Sequence, residues 1–198
     1  MPLLFASPVN TLETIAFVLG IINVTLVVRR SVWNFPFGLA MVSLYAIVFW
    51  RERLYSDTLL QGFFFAVNAW GWRMWAANRA EAGEVTVETM PPRDRATWLL
   101  GWVVISLAWG IGMERLTDAD FPWLDASIAA ASIAAQVMMA RRLLENWIVW
   151  IGVDIASIGL YAAKGLWLTM VLYVIFLALS VWGLADWRAA RQRAQAAD

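Results

Sequence analysis

The sequence predicts an all-α integral membrane protein: seven transmembrane helices, arranged as two parallel three-helix repeats plus a linker helix. Three observations carry that expectation. The chain is 198 residues long and 62% hydrophobic, with a mean hydropathy of +0.64, whereas soluble domains sit nearer to about half apolar. Its apolar residues fall in blocks of about 17–22, the length a helix needs to cross ~30 Å of hydrocarbon. The chain also resembles itself when displaced by 112 residues.

Taken in order, the first span covers 12–28, after an opening MPLLFASPVNTLE that lacks the basic start of a cleaved leader. Arg29-Arg30 ends it, and the second span covers 33–50. The third covers 55–77 and leads into the long polar connector NRAEAGEVTVETMPPRDR. The fourth covers 96–113, the fifth 123–140, the sixth 147–163 and the seventh 166–185, with DWRAARQRAQAAD as a solvated, frayed tail. The expected organisation is therefore a first repeat at 1–78, a connector at 79–95, a linker helix at 96–113 and a second repeat at 114–198.

The displacement puts Arg29-Arg30 on Arg141-Arg142, Asn34 on Asn146, Leu54 on Leu166, Trp70-Gly71 on Trp182-Gly183 and Trp75 on Trp187. Three spans per repeat would invert the second copy; one linker helix restores its orientation. Such repeats are related by an axis along the membrane normal, and substrate is expected between them near the midplane. With the N-terminus outside, inner segments hold eleven of the basic residues and outer ones only Arg51, Arg53, Arg115 and Lys164. That is a positive-inside pattern with a cytoplasmic C-terminus.

Composition excludes several chemistries. There is no Cys and no His, so disulfides, thiol catalysis, the commonest metal ligands and the usual proton relay are absent. No metal and no cofactor are expected. Zero formal net charge gives no sign of a nucleic-acid partner. The sole lysine, Lys164, falls in an outer Ala-Ala-Lys-Gly turn, which argues against a retinal-binding seven-helix photoreceptor. An intramembrane enzyme would lack the usual base for a serine nucleophile.

Polar side chains within the spans carry the functional signal. An ionisable group inside a span costs about 2.5–3.5 kcal/mol even on insertion scales, so such groups should face a partner helix or a wet cavity. On the third helix Asp57, Gln61, Phe65, Asn68 and Trp72 follow helical spacing and form one expected face. On the sixth, Trp147, Trp150, Asp154, Ile158 and Tyr161 do the same, with Asn146 beside them; on the seventh, Thr169, Tyr173, Phe176 and Ser180. The displacement pairs Asp57, Gln61 and Asn68 with Thr169, Tyr173 and Ser180. The scaffold repeats while its lining differs, as a small asymmetric ligand requires. Indole and phenol faces attract cations and stack on heteroaromatic rings. Carboxylates balance positive charge, and amides suit hydroxyls. A flat, cationic, hydroxyl-bearing molecule fits, such as nicotinamide riboside or thiamine.

Plainer roles compete. Trp33, Trp98, Trp123 and Trp187 lie near span ends and are expected as interfacial anchors. Gln61 and Asn68 can join helices by hydrogen bonds. Asp57 can cap its helix or pair with Arg53, and Asp125 suits a helix start. The two arginine pairs are expected as topology signals.

The run WNFPFGLAMVSLYAIVFWRERLYSDTLLQGFFFAVNAWGWRMW resembles the first repeat of the PnuC family of vitamin transporters. The run ENWIVWIGVDIASIGLYAAKGLWLTMVLYVIFLALSVWGLADW resembles the second. The shared features are an aromatic-Pro-x-Gly start with Tyr45 mid-helix, then Tyr-x-Asp, Leu-Gln and Gly-Trp-x-x-Trp. In the second run they are Glu-Asn-Trp-x-x-Trp, Asp, Leu-Tyr and Lys-Gly. Phe35 departs from the Trp expected ahead of Pro36. The resemblance implies a core of two three-helix units and a linker helix, like a SWEET sugar transporter. It implies facilitated transport across the inner membrane, with the substrate trapped by cytoplasmic phosphorylation. Nicotinamide riboside is the best-known substrate, and relatives carry thiamine, riboflavin or deoxynucleosides. Homotrimers are implied too. Carried over by resemblance, the substrate-binding residues are Gln61, Asn68, Trp72, Asn146, Trp147, Trp150, Asp154 and Tyr173, with Asp57, Tyr45 and Ser180 as secondary candidates.

Overall fold

The structure, a computed structural model, describes residues 8–51, 55–117, 121–165 and 167–196, without the side chains of 8–10, 13, 55–57 and 168. Seven helices run through these residues: α1 (Pro8–Val28), α2 (Asn34–Arg51), α3 (Tyr55–Ala82), α4 (Pro92–Leu116), α5 (Pro122–Ala140), α6 (Asn146–Ala163) and α7 (Trp167–Gln195). Among the described residues, α4, α5, α6 and α7 from Thr169 are long and apolar enough to cross a bilayer, and Thr14–Val28 is a shorter apolar stretch. Leu54, Leu166 and Arg53, and with them the Leu54/Leu166 match, lie outside the described residues.

Two expectations change. The connector is shorter than the polar composition suggested, because Asn78, Arg79, Ala80, Glu81 and Ala82 continue α3. These are mostly good helix formers, and polarity alone does not end a helix. Gly83 ends it, with φ 79° and its N–H donating to Arg79 O at 2.9 Å. Pro92 then opens α4, where a missing N–H goes unneeded. The tail likewise is helix, not frayed coil: α7 runs on to Gln195 through Ala, Arg and Gln. At about 1.5 Å per residue, α3 and α7 are each longer than ~30 Å of hydrocarbon requires.

The chain divides after Val85 into two compact units. In the first, α2 packs against both α1 and α3. In the second, α4 packs on α5, α5 on α6 and α6 on α7. The fourth helix thus packs as a member of the second unit. Its other side exposes Leu99, Leu100, Val104 and Leu107, an apolar face suited to acyl chains.

The repeat is written into local geometry. Arg30 and Arg142 both adopt left-handed backbone, with φ 53° and φ 60°. Non-glycine residues rarely do so, and here the conformation lets a helix reverse within a few residues. Each turn is then locked by an asparagine: Asn34 Nδ2 donates to Ser31 O at 2.7 Å, and Asn146 Nδ2 to Leu143 O at 2.6 Å. One residue on, Phe35 meets Trp75 edge to face (5.2 Å, 88°), and Trp147 meets Trp187 likewise (5.6 Å, 89°). Both closing tryptophans are fully buried. Trp187 is therefore a core residue and not the interfacial anchor its place near a span end suggested. A Cβ at Gly183 would come within 2.5 Å of the Trp147 ring; the indole fills the space a side chain would need.

In the second unit the connector is stitched to the α5–α6 turn. Glu88 N–H donates to Arg142 O at 3.0 Å and Leu144 N–H to Glu88 O at 2.8 Å, a single parallel bridge. The Glu88 carboxylate also pairs with the buried Arg142 guanidinium. Glu145 accepts from Met90 N–H at 3.0 Å and lies 3.7 Å from Arg95. Arg142 thus does more than mark topology. At the opposite end, Asp125 in the first turn of α5 pairs with Lys164 at 3.4 Å, consistent with its expected helix-start position.

Candidate functional site

The second unit concentrates its buried polar groups where α6 and α7 meet. Asp154 is 2% exposed on α6, and Ser180 of α7 donates its hydroxyl hydrogen to Asp154 Oδ2 at 2.8 Å. One helical turn on, Ser157 is buried and its Oγ has no hydrogen-bond partner among the described residues. A further turn brings Tyr161, whose ring stacks on Tyr173 of α7 (5.2 Å, 25°); Tyr173 also meets Phe176 edge to face at 6.0 Å. Half-buried Trp150 stands one turn before Asp154. Residues 150, 154, 157 and 161 follow 4-3-4 spacing, which keeps them on one helical strip. That strip joins a carboxylate, hydroxyls, stacked phenols and an indole. Such a set can neutralise a cation, stack on a flat ring and exchange hydrogen bonds with alcohols.

The first unit carries the register counterparts with other chemistry. Val42, Tyr45 and Phe49 stand where the second unit has Asp154, Ser157 and Tyr161; Gln61, Phe64 and Asn68 stand where it has Tyr173, Phe176 and Ser180. Tyr45 stacks on Phe49 (5.7 Å, 20°). Buried Asn68 donates Nδ2 to Phe64 O at 2.8 Å. Gly38, the counterpart of Trp150, lets Asn23 and Asn68 approach: a Cβ there would lie 2.8 Å from Asn23 Nδ2 and 3.1 Å from Asn68 Oδ1. Asn23 in turn donates Nδ2 to Asn34 O at 2.7 Å.

Asp154, Tyr173 and Ser180 come together in the second unit, with Trp150 on the same strip. Asn68 and half-buried Gln61 belong to the first, as does Tyr45. The expected single face on α3 splits. Phe65 and Trp72 are 47% and 39% exposed, while Val67, Asn68, Gly71 and Trp75 are buried. The buried stripe sits one step round the helix, where Trp75 meets Phe35 of α2. Trp147 has its ring between Gly183 and Trp187, and Asn146 holds the turn through Leu143 O, while Asn146 Oδ1 and Trp147 Nε1 are buried with no hydrogen-bond partner among the described residues. The Asp57 side chain lies outside the described residues. Sequence reasoning missed Ser157 and Asn23. Ser157 was findable as the residue one turn after Asp154. Asn23 carried no signal beyond being an amide within a span.

Two internally repeated units of spanning helices, each with a buried polar and aromatic strip, define a membrane transporter of the two-repeat class. A family profile described as nicotinamide mononucleotide transporter matches residues 10–189. The nicotinamide riboside transporter PnuC of Escherichia coli is 26% identical, over 92% of this chain and 87% of its own length. PnuC of Neisseria mucosa is 32% identical, over 91% of this chain and 73% of its own. The riboflavin/roseoflavin transporter RibM of Streptomyces davaonensis is 28% identical, over 88% and 83%. A crystal structure of the vitamin B3 transporter PnuC superposes with a TM-score of 0.74 at 30% identity, covering 92% of this chain and 83% of that one. The chain belongs to the PnuC family of nicotinamide mononucleotide-type transporters, a family of transporters and not of enzymes.

Proposed function

We propose that the chain mediates facilitated uptake of nicotinamide riboside across the cell inner membrane. Cytoplasmic phosphorylation then traps the product for NAD biosynthesis. The observation that carries the reading is the α6–α7 strip: Asp154 with Ser180, the buried Ser157 hydroxyl, and the stacked Tyr161–Tyr173 pair. Nicotinamide riboside joins a flat pyridinium cation to a ribose. The carboxylate answers the charge, Tyr173 and Trp150 supply the π faces, and the serine hydroxyls suit the sugar. Gln61 and Asn68 are the first unit's hydroxyl-binding groups, and Trp72 is a further aromatic contact. The relatives named as nicotinamide riboside transporters support this substrate over thiamine. The eleven-to-four distribution of basic residues supports an outer N-terminus and a cytoplasmic C-terminus. The family supports assembly as a homotrimer.

The test is uptake of radiolabelled nicotinamide riboside into proteoliposomes, with unlabelled thiamine and riboflavin as competitors. Saturable uptake that only unlabelled nicotinamide riboside suppresses is expected. Uptake that never saturates, or that thiamine or riboflavin blocks at lower concentration, overturns the reading.

A further inference from the structure

Gly38 of α2 marks a notch in the first unit. A Cβ there would lie 2.8 Å from Asn23 Nδ2 of α1 and 3.1 Å from Asn68 Oδ1 of α3. A donor from one helix and an acceptor from another thus converge on a point where the helix between them has no side chain. Glycine is the residue that lets another group come close to the backbone.

Both amides have capacity left over. A carboxamide offers two N–H donors and one carbonyl acceptor. Asn23 Nδ2 gives one hydrogen to Asn34 O at 2.7 Å, and Asn68 Nδ2 gives one to Phe64 O at 2.8 Å. The second Asn23 hydrogen and the Asn68 carbonyl oxygen make no hydrogen bond among the described residues, to each other or elsewhere. The two residues are only 8% and 4% exposed, and polar groups taken from water need partners.

The repeat shows that packing does not demand this pair. The turn-locking bonds of Asn34 and Asn146 recur in both units. The amide pair does not: Ala135, Trp150 and Ser180 stand at the register positions of Asn23, Gly38 and Asn68. The group that answers one spare donor and one spare acceptor at once is a hydroxyl, which accepts and donates through the same oxygen.

We infer that the Gly38 notch binds a sugar hydroxyl of the substrate, which accepts from Asn23 Nδ2 and donates to Asn68 Oδ1. This rests on the nicotinamide riboside reading and adds Asn23 and Gly38 to it as residues that select for the ribose.

The experiment measures calorimetric binding of nicotinamide riboside, and of analogues lacking its 2′, 3′ or 5′ hydroxyl, to the purified full-length protein. The wild type is expected to bind the riboside about ten-fold or more tightly than one of the analogues, because a site built for a hydroxyl is left unpaired by a ligand without it. Asn23→Ala removes the donor, and Gly38→Ala fills the notch. Each should cut that preference to within about two-fold, while affinity for the disfavoured analogue stays within about two-fold of wild type. Variants that bind riboside and analogue more weakly but keep the preference show a purely structural amide and overturn the inference. A wild type that binds the riboside and every analogue equally also overturns it, and leaves the notch to an internal water. A wild type that binds none of the compounds overturns the nicotinamide riboside reading itself, and this inference with it.

Discussion

Ser180 on α7 donates its hydroxyl hydrogen to Asp154 Oδ2 on α6 at 2.8 Å, and the same two helices stack Tyr161 on Tyr173. A carboxylate inside a span persists only where something compensates it. The Ser180 hydroxyl engages Oδ2; under the proposed function the carboxylate also balances the charge of the ligand. Asp154→Asn keeps the shape and the bond from Ser180 but removes the charge. It should weaken nicotinamide riboside binding at least ten-fold, which is about 1.4 kcal/mol or more. Ser180→Ala should weaken it only a few-fold, since the charge stays. Calorimetric titration of the purified protein distinguishes the two; equal affinity in Asp154→Asn and wild type rejects a charge-balancing role.

The two α6 tryptophans should behave oppositely. Trp147 packs on Trp187 and Gly183, and its register counterpart is Phe35, which makes the same edge-to-face contact with Trp75. Its indole N–H has no hydrogen-bond partner among the described residues, so a phenyl ring loses no bond there. Trp147→Phe should leave binding within about two-fold. Trp150 is half-buried on the strip with Asp154. Losing a cation–π face of roughly 1–2 kcal/mol should make Trp150→Ala bind some five- to thirty-fold more weakly. Tryptophan fluorescence titration and uptake rates read both variants.

Much of this was legible in the sequence because two kinds of signal were strong. Apolar block length fixed the spans, and the fixed displacement tied Asn34 to Asn146 and Trp75 to Trp187. Helical spacing also brought Trp150, Asp154 and Tyr161 onto one strip. Spacing could not say which side of a helix would be covered. Asn68 and Trp72 are four apart, yet one is buried and the other exposed, because coverage depends on where α2 crosses α3. Trp147 and Trp150 look alike in one dimension; only the approach of Gly183 shows which ring is walled in. The roles of Arg30 and Arg142 were hidden for a further reason, since a left-handed arginine has no signature in composition.

Small residues at the two close approaches should be intolerant of enlargement. A methyl at Gly183 would collide with the Trp147 ring, and one at Gly38 with Asn23 and Asn68. Overpacking of this kind costs roughly 1–3 kcal/mol. Gly183→Ala should lower the thermal midpoint by several degrees, and combining it with Trp147→Phe should restore part of the loss. Gly38→Ala should disturb the Asn68 amide and reduce transport more than stability. Gly62, where a Cβ would meet nothing within 4 Å, provides the control: Gly62→Ala should not lower the midpoint. Scanning fluorimetry with matched uptake assays checks all four variants.

The Glu88–Arg142 pair is the last relation with a measurable consequence. Arg142 has 10% of its side chain exposed and Glu88 53%, and the Arg142 Nε has no hydrogen-bond partner among the described residues. The pair is thus asymmetric: one charge is largely buried and the other reaches solvent. Removing only the outer partner strands the inner charge, whereas removing both does not. Glu88→Ala should therefore destabilise the second unit by about 1–3 kcal/mol, with increased proteolysis in the connector at residues 86–91. Adding Arg142→Met should recover part of that loss, because the buried charge goes with its partner and the methionine stem still packs. The backbone bridge between Glu88 and the α5–α6 turn survives both changes, so limited proteolysis and thermal midpoint should move together. A double variant less stable than Glu88→Ala alone would mean that the Arg142 guanidinium draws its support from elsewhere in the turn and not from Glu88.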